Sequence, residues 1–380
     1  MITTTDTTTG TAALLELGAV LKRQGYTFTT VTPATHARVN SRPGHTVARD
    51  LRDVLGWSRP YEPGLLSPEI AGLLEAAGVV EPAGEGLLRS MVRFSTYDGE
   101  LFVHSAFPTD AAGSVFFGPD TYRMADAAAA LLARRESPVR RAVDIGCGTG
   151  AGAITVAKRA REAEVLAVDI NPDALRCTRV NATLAGTPNV RPRHSDLLSD
   201  VTGRFDLIVS NPPFMIDPAG RAYRDGGGPE GHGLTLAVVD TAVQRLQPGG
   251  SLVLLSGTGI VAGRDPLRAA IAGHLDGTDL SWEYRELDPD VYGEELESAY
   301  AHAERLAVVL LTATRSSSAG ATSRATASLT TGVPSGSWAC PTAGAAPSSA
   351  SPAADAAPSS VFPAAGVTGA SAAADPAGRA

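Results

Sequence analysis

The chain has 380 residues, of which 43% are hydrophobic, so it is long enough to bury a substantial core and to hold two modest domains. Its 40 acidic residues outnumber its 32 lysines and arginines, and the formal net charge of -8 excludes the basic excess of a non-specific nucleic-acid binder. Its three cysteines, Cys147, Cys177 and Cys340, show neither a C-x-x-C spacing nor the pattern of a secreted disulfide framework, and no apolar run is long enough to span a bilayer. We therefore expect a cytoplasmic protein with no membrane or metal partner.

The first part of the chain has the pattern of a small helical domain. Residues 1–10 are rich in threonine and are expected to be flexible, and apolar residues then recur at helical spacing over residues 11–86. Ser67 and Pro68 are suited to a helix N-cap and first helical position, and Gly78 to a helix end. The spacing predicts a helical N-terminal domain, which we expect to contact the substrate.

The rest of the chain divides into three segments of different character. Residues 87–108 hold two strand-like runs around an Asp-Gly turn, which predicts a β-hairpin linker. In residues 109–314, strand-like runs alternate with helical stretches, which predicts an α/β domain with a mostly parallel, doubly wound, Rossmann-like sheet. Its acidic stretch, residues 288–304, is expected to be a solvated loop. Residues 315–380 are mostly Ala, Ser, Pro, Gly and Thr, which predicts a disordered tail.

A glycine-rich turn follows the first buried strand of the α/β region, in the run Asp144-Ile145-Gly146-Cys147-Gly148-Thr149-Gly150. Glycine suits this turn because a side chain would collide with a ligand lying against the backbone. The spacing is also close to a dinucleotide fingerprint, and a tight turn without a ligand is a third interpretation. Asp144 favours a ligand with a cationic end, such as a sulfonium amino acid. A pyrophosphate would instead be held by backbone amides and a helix N-terminus, without a carboxylate.

Two more acids stand at predicted strand ends. Asp169 ends the second strand, where its carboxylate could accept both ribose hydroxyls of an adenosine, or cap the following helix. Asp196 follows the third strand, where it could accept the adenine amine while Leu197 packs on the ring. Because parallel strands end at one edge of a sheet, we expect these acids and Asp144 to lie along one crevice.

The run Asn211-Pro212-Pro213-Phe214 follows the fourth strand of the predicted sheet. The Asn211 side-chain oxygen and the Pro212 carbonyl can each accept one N–H of a planar NH2 group and so direct its lone pair at a methyl donor. Pro213 stiffens the loop and Phe214 offers a face for the planar target. The other interpretation is an Asn-Pro turn that merely ends a strand.

The glycine-rich turn, Asp169 and the Asn-Pro-Pro-Phe run together resemble the motifs of class I S-adenosylmethionine-dependent methyltransferases. This resemblance implies a seven-stranded Rossmann-like sheet, catalysis by Asn211, Pro212 and Phe214, and S-adenosylmethionine as the cofactor. The implied cofactor-binding residues are Asp144, Gly146, Cys147, Gly148, Gly150, Asp169, Ile170, Asp196, Leu197 and Asn211.

Surrounding features resemble the release-factor glutamine methyltransferases of the HemK/PrmC type, which have a helical N-terminal domain, a hairpin linker and then the catalytic domain. The runs 117–121 and 224–231 resemble that family's loops before the first strand and after the catalytic motif. Two departures are visible. Phe214 stands where the glutamine enzymes usually carry Tyr, and the Phe form is also used by small-domain ribosomal RNA methyltransferases. The loop 117–121 lacks the Arg commonly present there.

The resemblance favours N5-methylation of a protein glutamine in a translation factor. The alternative is methylation of an adenine or guanine amine in ribosomal RNA or DNA, for which five N-terminal arginines could contact phosphates or simply form a solvated face. These are Arg38, Arg42, Arg49, Arg52 and Arg59. Two further readings are a nicotinamide-dependent oxidoreductase, against which the tetrapeptide counts, and a cofactor-binding protein without turnover, against which an intact Asn211 counts.

Overall fold

The structure is a computed structural model that describes residues 7–317. Most of the predicted disordered tail, residues 318–380, lies outside the described residues, as does the start of the predicted flexible N-terminus. The described part of that tail is ordered by the sheet, because Arg315 ends the last strand and the Ser316 N–H donates to the Asp279 carbonyl at 3.0 Å. No helix within the described range is both long and apolar enough to cross a membrane.

The N-terminal part consists of four helices and two short antiparallel strand pairs. In chain order these are α1 (Thr7–Arg23), α2 (Pro33–Asn40), α3 (Leu51–Leu55), α4 (Pro68–Ala76), β1 (Val80–Pro82), β2 (Leu88–Ser90), β3 (Val92–Tyr97) and β4 (Glu100–Ser105). The first helix begins at Thr7, four residues before the expected start. The predicted N-cap is confirmed, since Ser67 Oγ accepts the Ile70 N–H at 3.4 Å, and Gly78 follows the helix with a φ of 67°. The predicted hairpin is confirmed as β3 and β4.

This N-terminal part shares one apolar core with the region that follows it. Leu17, Leu21 and Leu74 are fully buried in a cluster that also contains Val180 of the later α/β region. Asn181, the next residue, accepts the Val103 N–H of the hairpin at 2.7 Å and donates to the Val103 carbonyl at 3.1 Å. Buried apolar contacts and satisfied hydrogen bonds therefore fasten the hairpin to the α/β region.

The α/β region consists of one seven-stranded sheet and five helices. Its elements are α5 (Pro119–Arg134), β5 (Arg141–Ile145), α6 (Ala151–Arg159), β6 (Glu164–Asp169), α7 (Pro172–Leu184), β7 (Val190–His194), β8 (Phe205–Ser210), α8 (Gly233–Arg245), β9 (Leu246–Ile260), α9 (Pro266–Leu275), β10 (Leu280–Asp288) and β11 (Arg305–Arg315). The strand order is β10-β11-β9-β8-β5-β6-β7, and β11 alone runs antiparallel to its neighbours. Apolar clusters cover both faces of this sheet, so the predicted fold class is confirmed.

The order of the strands determines where a ligand fits. The chain runs outward from the central strand β5 to β6 and β7, and then returns to the other side of β5 with β8 and β9. Adjacent βα loops therefore turn in opposite directions at β5, and open α/β sheets bind ligands in the crevice that this reversal creates. The glycine-rich turn follows β5, and the Asn-Pro-Pro-Phe run follows β8, its neighbour.

The structure differs from the sequence-based expectation in three elements. Helices α5 and α9 were not predicted; the buried face of α5 includes Ala125 and Ala128, and small residues give a weak apolar pattern. The acidic stretch 288–304 is only partly solvated. It contains a 3₁₀ turn, Gly293–Glu297, and Tyr300, which is 1% exposed. The prediction of a solvated loop was wrong because its tyrosines pack inward while its acids remain near the surface.

Candidate active site

A single cavity runs along the carboxyl ends of β5, β6 and β8. Among the sequence-predicted site residues, those lining it are Asp144, Gly146, Cys147, Gly148, Asp169, Ile170, Asp196, Leu197, Asn211, Pro212 and Phe214. Gly150 is the exception. Its φ is 79°, and a Cβ there would lie 2.8 Å from a methyl carbon of Thr178, so this glycine serves the packing of the turn.

The glycine-rich turn leaves open space against its backbone. Gly146 has a φ of 69° and Gly148 a φ of 52°, the left-handed region that side chains rarely adopt. A Cβ added at Gly146 would meet no atom within 4 Å. Space is therefore available for a ligand to lie directly on the turn, as the sequence predicts for a bound cofactor.

Asp144 offers this cavity a buried carboxylate with one free oxygen. Its Oδ2 accepts the Ala153 N–H at 2.8 Å, whereas its Oδ1 is buried without a hydrogen-bond partner among the described residues. Burial raises the pKa of Asp144 to about 7; the Ala153 N–H opposes this effect and the charge of Asp169 adds to it. A cationic ligand group at Oδ1 would satisfy the free oxygen and favour the ionised carboxylate.

Asp169 is fixed at the end of β6 by two backbone amides. Its Oδ2 accepts the Gly148 N–H and its Oδ1 the Asn171 N–H, both at 2.9 Å, and burial raises its pKa. The alternative role as the cap of α7 is wrong, because Asn171 caps that helix by accepting the Asp173 N–H at 2.9 Å. Each Asp169 oxygen keeps a second lone pair for ribose hydroxyls.

The far end of the crevice suits an apolar ring with a polar edge. Ile170 is 54% exposed, unusual for a large apolar side chain, and it lines the cavity. Asp196 is exposed in the loop after β7, and Leu197 beside it has a φ of 49°. Together these residues would hold an adenine between aliphatic side chains, with a carboxylate near its amine.

The Asn-Pro-Pro-Phe run lines the end of the cavity next to β8, where the sequence predicts the reaction. We call this end of the cavity the reactive end. Asn211 Oδ1 is buried and has no hydrogen-bond partner among residues 7–317, so it can accept a hydrogen bond from a ligand. The Phe214 ring packs so closely on β9 that a Cβ at Gly257 would lie 2.5 Å from a ring carbon. Cys147 also lines the cavity, where burial raises its thiol pKa well above the usual value and so favours the protonated thiol.

Comparison with known proteins agrees with this geometry. The family model of the methyltransferase small domain matches residues 120–262, which include the glycine-rich turn and the Asn-Pro-Pro-Phe run. This part of the chain is therefore similar to class I methyltransferases of the HemK type.

Several curated relatives carry names that describe their reactions. The chain is 35% identical to the release factor glutamine methyltransferase of Deinococcus radiodurans over 47% of this chain and 63% of that protein. It is 29% identical to the enzyme of the same name from Cereibacter sphaeroides, over 61% of this chain and 88% of the other. A third relative, the 4-amino-L-phenylalanine/4-methylamino-L-phenylalanine methyltransferase of Streptomyces pristinaespiralis, is 32% identical over 33% of this chain and 49% of that protein. The chain thus spans less than two thirds of the length of two of these three relatives.

The loop that follows the Asn-Pro-Pro-Phe run folds back onto that run. The Met215 N–H donates to the Arg224 carbonyl at 3.0 Å, and the Gly226 N–H donates to the Met215 carbonyl at 2.9 Å. A Cβ at Gly226 would lie 1.8 Å from the Gly231 carbonyl oxygen, so only glycine fits. The glycine-containing loop noted in the sequence therefore supports the backbone next to Phe214.

The acidic stretch between β10 and β11 forms a roof over the reactive end, and sequence reasoning missed it. Tyr300 belongs to this roof, and its hydroxyl accepts the Ile216 N–H at 2.9 Å. Tyr292 lines the cavity and donates its hydroxyl to the fully buried Asp120. Its ring centroid lies 6.4 Å from that of Phe214. The signal in the sequence was the two tyrosines among the acids, which a purely solvated loop does not require.

The N-terminal part also reaches the cavity. Pro33, the first residue of α2, lines it together with Phe116 and Tyr223, whose rings stack at 5.8 Å. The Tyr223 hydroxyl hydrogen-bonds Thr109 at 3.0 Å. An acceptor that enters past these rings would therefore touch the N-terminal part of the chain.

Three of the five N-terminal arginines are engaged by their own neighbours. Arg59 is buried and pairs with Asp53 at 2.5 Å, and Arg49 approaches the same carboxylate at 3.5 Å. The Arg52 guanidinium lies 5.2 Å from the centre of the Phe28 ring. Of the five, Arg59 is buried, whereas Arg38, Arg42, Arg49 and Arg52 are exposed to solvent.

Proposed function

We propose that this chain is a cytoplasmic S-adenosylmethionine-dependent methyltransferase that methylates the side-chain amide of a protein glutamine, with a translation release factor as its substrate. The observation that carries the proposal is the free, buried Oδ1 of Asn211, which lies in the cavity that Asp144 and Asp169 also line. An acceptor oxygen without a donor fits a substrate NH2 group. The names of the relatives support a planar nitrogen as the target, since one group acts on glutamine and another on an arylamine.

The residues present fit the cofactor. Asp144 Oδ1 would accept from the cationic amino group of the methionine part, Asp169 would accept the ribose hydroxyls, and Ile170 would pack on the adenine. S-adenosylmethionine, when bound, supplies an electrophilic methyl group on a sulfonium sulfur. Gly146 leaves the room that such a ligand needs against the turn.

The chain's own residues would prepare the acceptor nitrogen. An amide nitrogen is a poor nucleophile because its lone pair is delocalised into the carbonyl group. Asn211 Oδ1 and the Pro212 carbonyl would each accept one N–H, which orients the nitrogen and leaves its lone pair directed at the methyl group. The Phe214 and Tyr292 rings would hold the plane of the amide. No strong base is required, because the nitrogen sheds its proton after attack.

The organisation of the chain supports a macromolecular acceptor. We assign residues 11–86 to a substrate-contacting domain, 87–108 to a hairpin linker and 109–314 to the catalytic domain, and Pro33 of the first segment lines the cavity. A nucleobase amine is the second candidate, favoured by Phe214 in place of tyrosine. The burial of Arg59 in its ion pair with Asp53 removes one of the five arginines from contact with phosphates.

The direct test incubates the full chain with S-adenosylmethionine labelled on its methyl group and a bacterial lysate. We expect the label in macromolecules to be released by protease and to resist nuclease. The Asn211→Ala variant provides the matched control, since it should bind the donor and transfer nothing. Label released by nuclease alone would refute the glutamine assignment and support the nucleobase alternative.

A further inference from the structure

We propose that Arg224 is a specificity-determining residue, whose Nε–H donates to the carbonyl oxygen beside the NH2 group of the acceptor and so selects a carboxamide over a simple amine. This inference rests on the proposed function and names the group that the reactive end of the cavity recognises. The sequence motifs of the family did not single out this arginine as a site residue.

The Arg224 guanidinium presents a donor that nothing in the described chain uses. Its Nε is buried and has no hydrogen-bond partner among residues 7–317. Asp217 Oδ1 lies 3.8 Å from Nε, which is close enough for an ion pair but beyond hydrogen-bond reach. Asp217 is already occupied, since Arg221 donates to both of its oxygens at 2.7 and 2.9 Å. A buried N–H without a partner is costly, which points to a ligand acceptor.

The direction of this donor is fixed in advance. Arg224 Nη2 donates to Glu295 Oε1 at 2.5 Å, which ties the guanidinium to the 3₁₀ turn of the roof. The Arg224 carbonyl accepts the Met215 N–H, so its backbone is held beside Phe214. A planar guanidinium anchored at one nitrogen has little freedom to redirect another, and Nε is therefore preorganised.

The cavity thus carries two free polar atoms of opposite kind. Asn211 Oδ1 requires a donor and Arg224 Nε–H requires an acceptor, and both residues line the cavity with the rings of Phe214 and Tyr292. A carboxamide satisfies both, because its NH2 and its carbonyl oxygen are on the same carbon and the group is planar. An arylamine has a planar NH2 but no acceptor next to it, and would leave Arg224 Nε unsatisfied.

The test compares acceptors and variants in the full chain. The acceptors are a purified bacterial release factor, an adenine-containing RNA oligonucleotide and 4-amino-L-phenylalanine. Arg224→Met removes the donor at similar side-chain length, and Arg224→Lys keeps the charge near Glu295 but has no N–H at the ε position. Arg285→Met, at an exposed arginine on β10, is the control for losing a positive charge. Calorimetry with S-adenosylhomocysteine checks that the cofactor site is intact.

We expect wild type to methylate the release factor, and both Arg224 variants to lose about tenfold to hundredfold in kcat/KM on it, as for a hydrogen bond from a charged donor. The loss should appear in KM more than in kcat, because the bond is made to the ground-state amide oxygen. S-adenosylhomocysteine affinity should stay within about twofold, and Arg285→Met should behave as wild type.

Three results would overturn the inference in different ways. If Arg224→Met has the same kcat/KM as wild type on the release factor, Arg224 does not hydrogen-bond the amide carbonyl oxygen, although the proposed function stands. If Arg224→Lys restores activity, the ion pair with Glu295 matters and the Nε–H does not. If wild type transfers only to RNA, only to the arylamine or to none of the three, the carboxamide class and the proposed function fall together.

Discussion

The free carboxylate oxygen of Asp144 predicts that cofactor affinity depends on pH. Burial raises the pKa of this group from 3.8 to about 7 in the ligand-free protein. A bound cationic amino group favours the ionised form, so binding must expel the proton whenever the pH lies below 7. The Kd for S-adenosylhomocysteine should therefore rise about tenfold from pH 8 to pH 6, since one pKa unit corresponds to a factor of ten.

Calorimetry between pH 5.5 and 8.5 measures this dependence, and Asp144→Asn is the matched control because it cannot titrate. The variant should bind weakly with a nearly flat profile. The same shift predicts that folding of the ligand-free protein loses up to about 4 kcal/mol as pH rises from about 4 to 7, because the native carboxyl keeps a proton that the unfolded chain releases. A flat profile for wild type would refute the assignment of Asp144 to the cationic group.

Three further substitutions test other parts of the site. Asn211→Ala should lower methyl transfer by about a hundredfold or more while the Kd for S-adenosylhomocysteine stays within about twofold; full activity would end its catalytic assignment. Asp169→Ala should weaken binding of that ligand about tenfold to hundredfold by calorimetry, and an unchanged Kd would mean that the ribose is misplaced. Gly257→Ala should push the Phe214 ring away, lower kcat/KM and cost about 1–3 kcal/mol by thermal unfolding. Gly273→Ala, at an exposed helical position with open space, should not destabilise; an equal loss there would contradict the steric argument.

The sequence was most informative where one residue type alone satisfies a backbone requirement. The glycines after β5 and the Asp-Gly turn of the hairpin have strong local constraints, so the turn, the strands around it and the order of elements could be predicted. Parallel strand ends meet at one edge, and this alone brought Asp144, Asp169 and Asn211 to the same expected crevice. The structure places all three along one cavity.

The roof over the reactive end could not be predicted, because its contacts join residues far apart in the chain. Tyr292 meets Asp120 and Arg224 meets Glu295, and neither pair follows a local spacing rule. The acids in the stretch suggested solvent, and only tertiary packing shows that Asp288 pairs with Arg123 and Glu295 with Arg224.

Small side chains also concealed structure. Helix α5 was missed because the residues that it buries include Ala125 and Ala128, whose apolar signal is weak although alanine favours helices strongly. The first turn of α5 places Asp120 in the lining of the cavity, so this side of the site could not be predicted without the helix.

The central claim is that Asn211 presents a protein glutamine amide to a methyl donor. Peptide mapping by mass spectrometry of a purified release factor, incubated with S-adenosylmethionine and the full chain, tests it most directly. We predict one added methyl group, located on a glutamine side chain, with wild type and none with Asn211→Ala. A methyl group on another residue type, or no added methyl group while RNA from the same cells gains one on a base amine, would contradict the account.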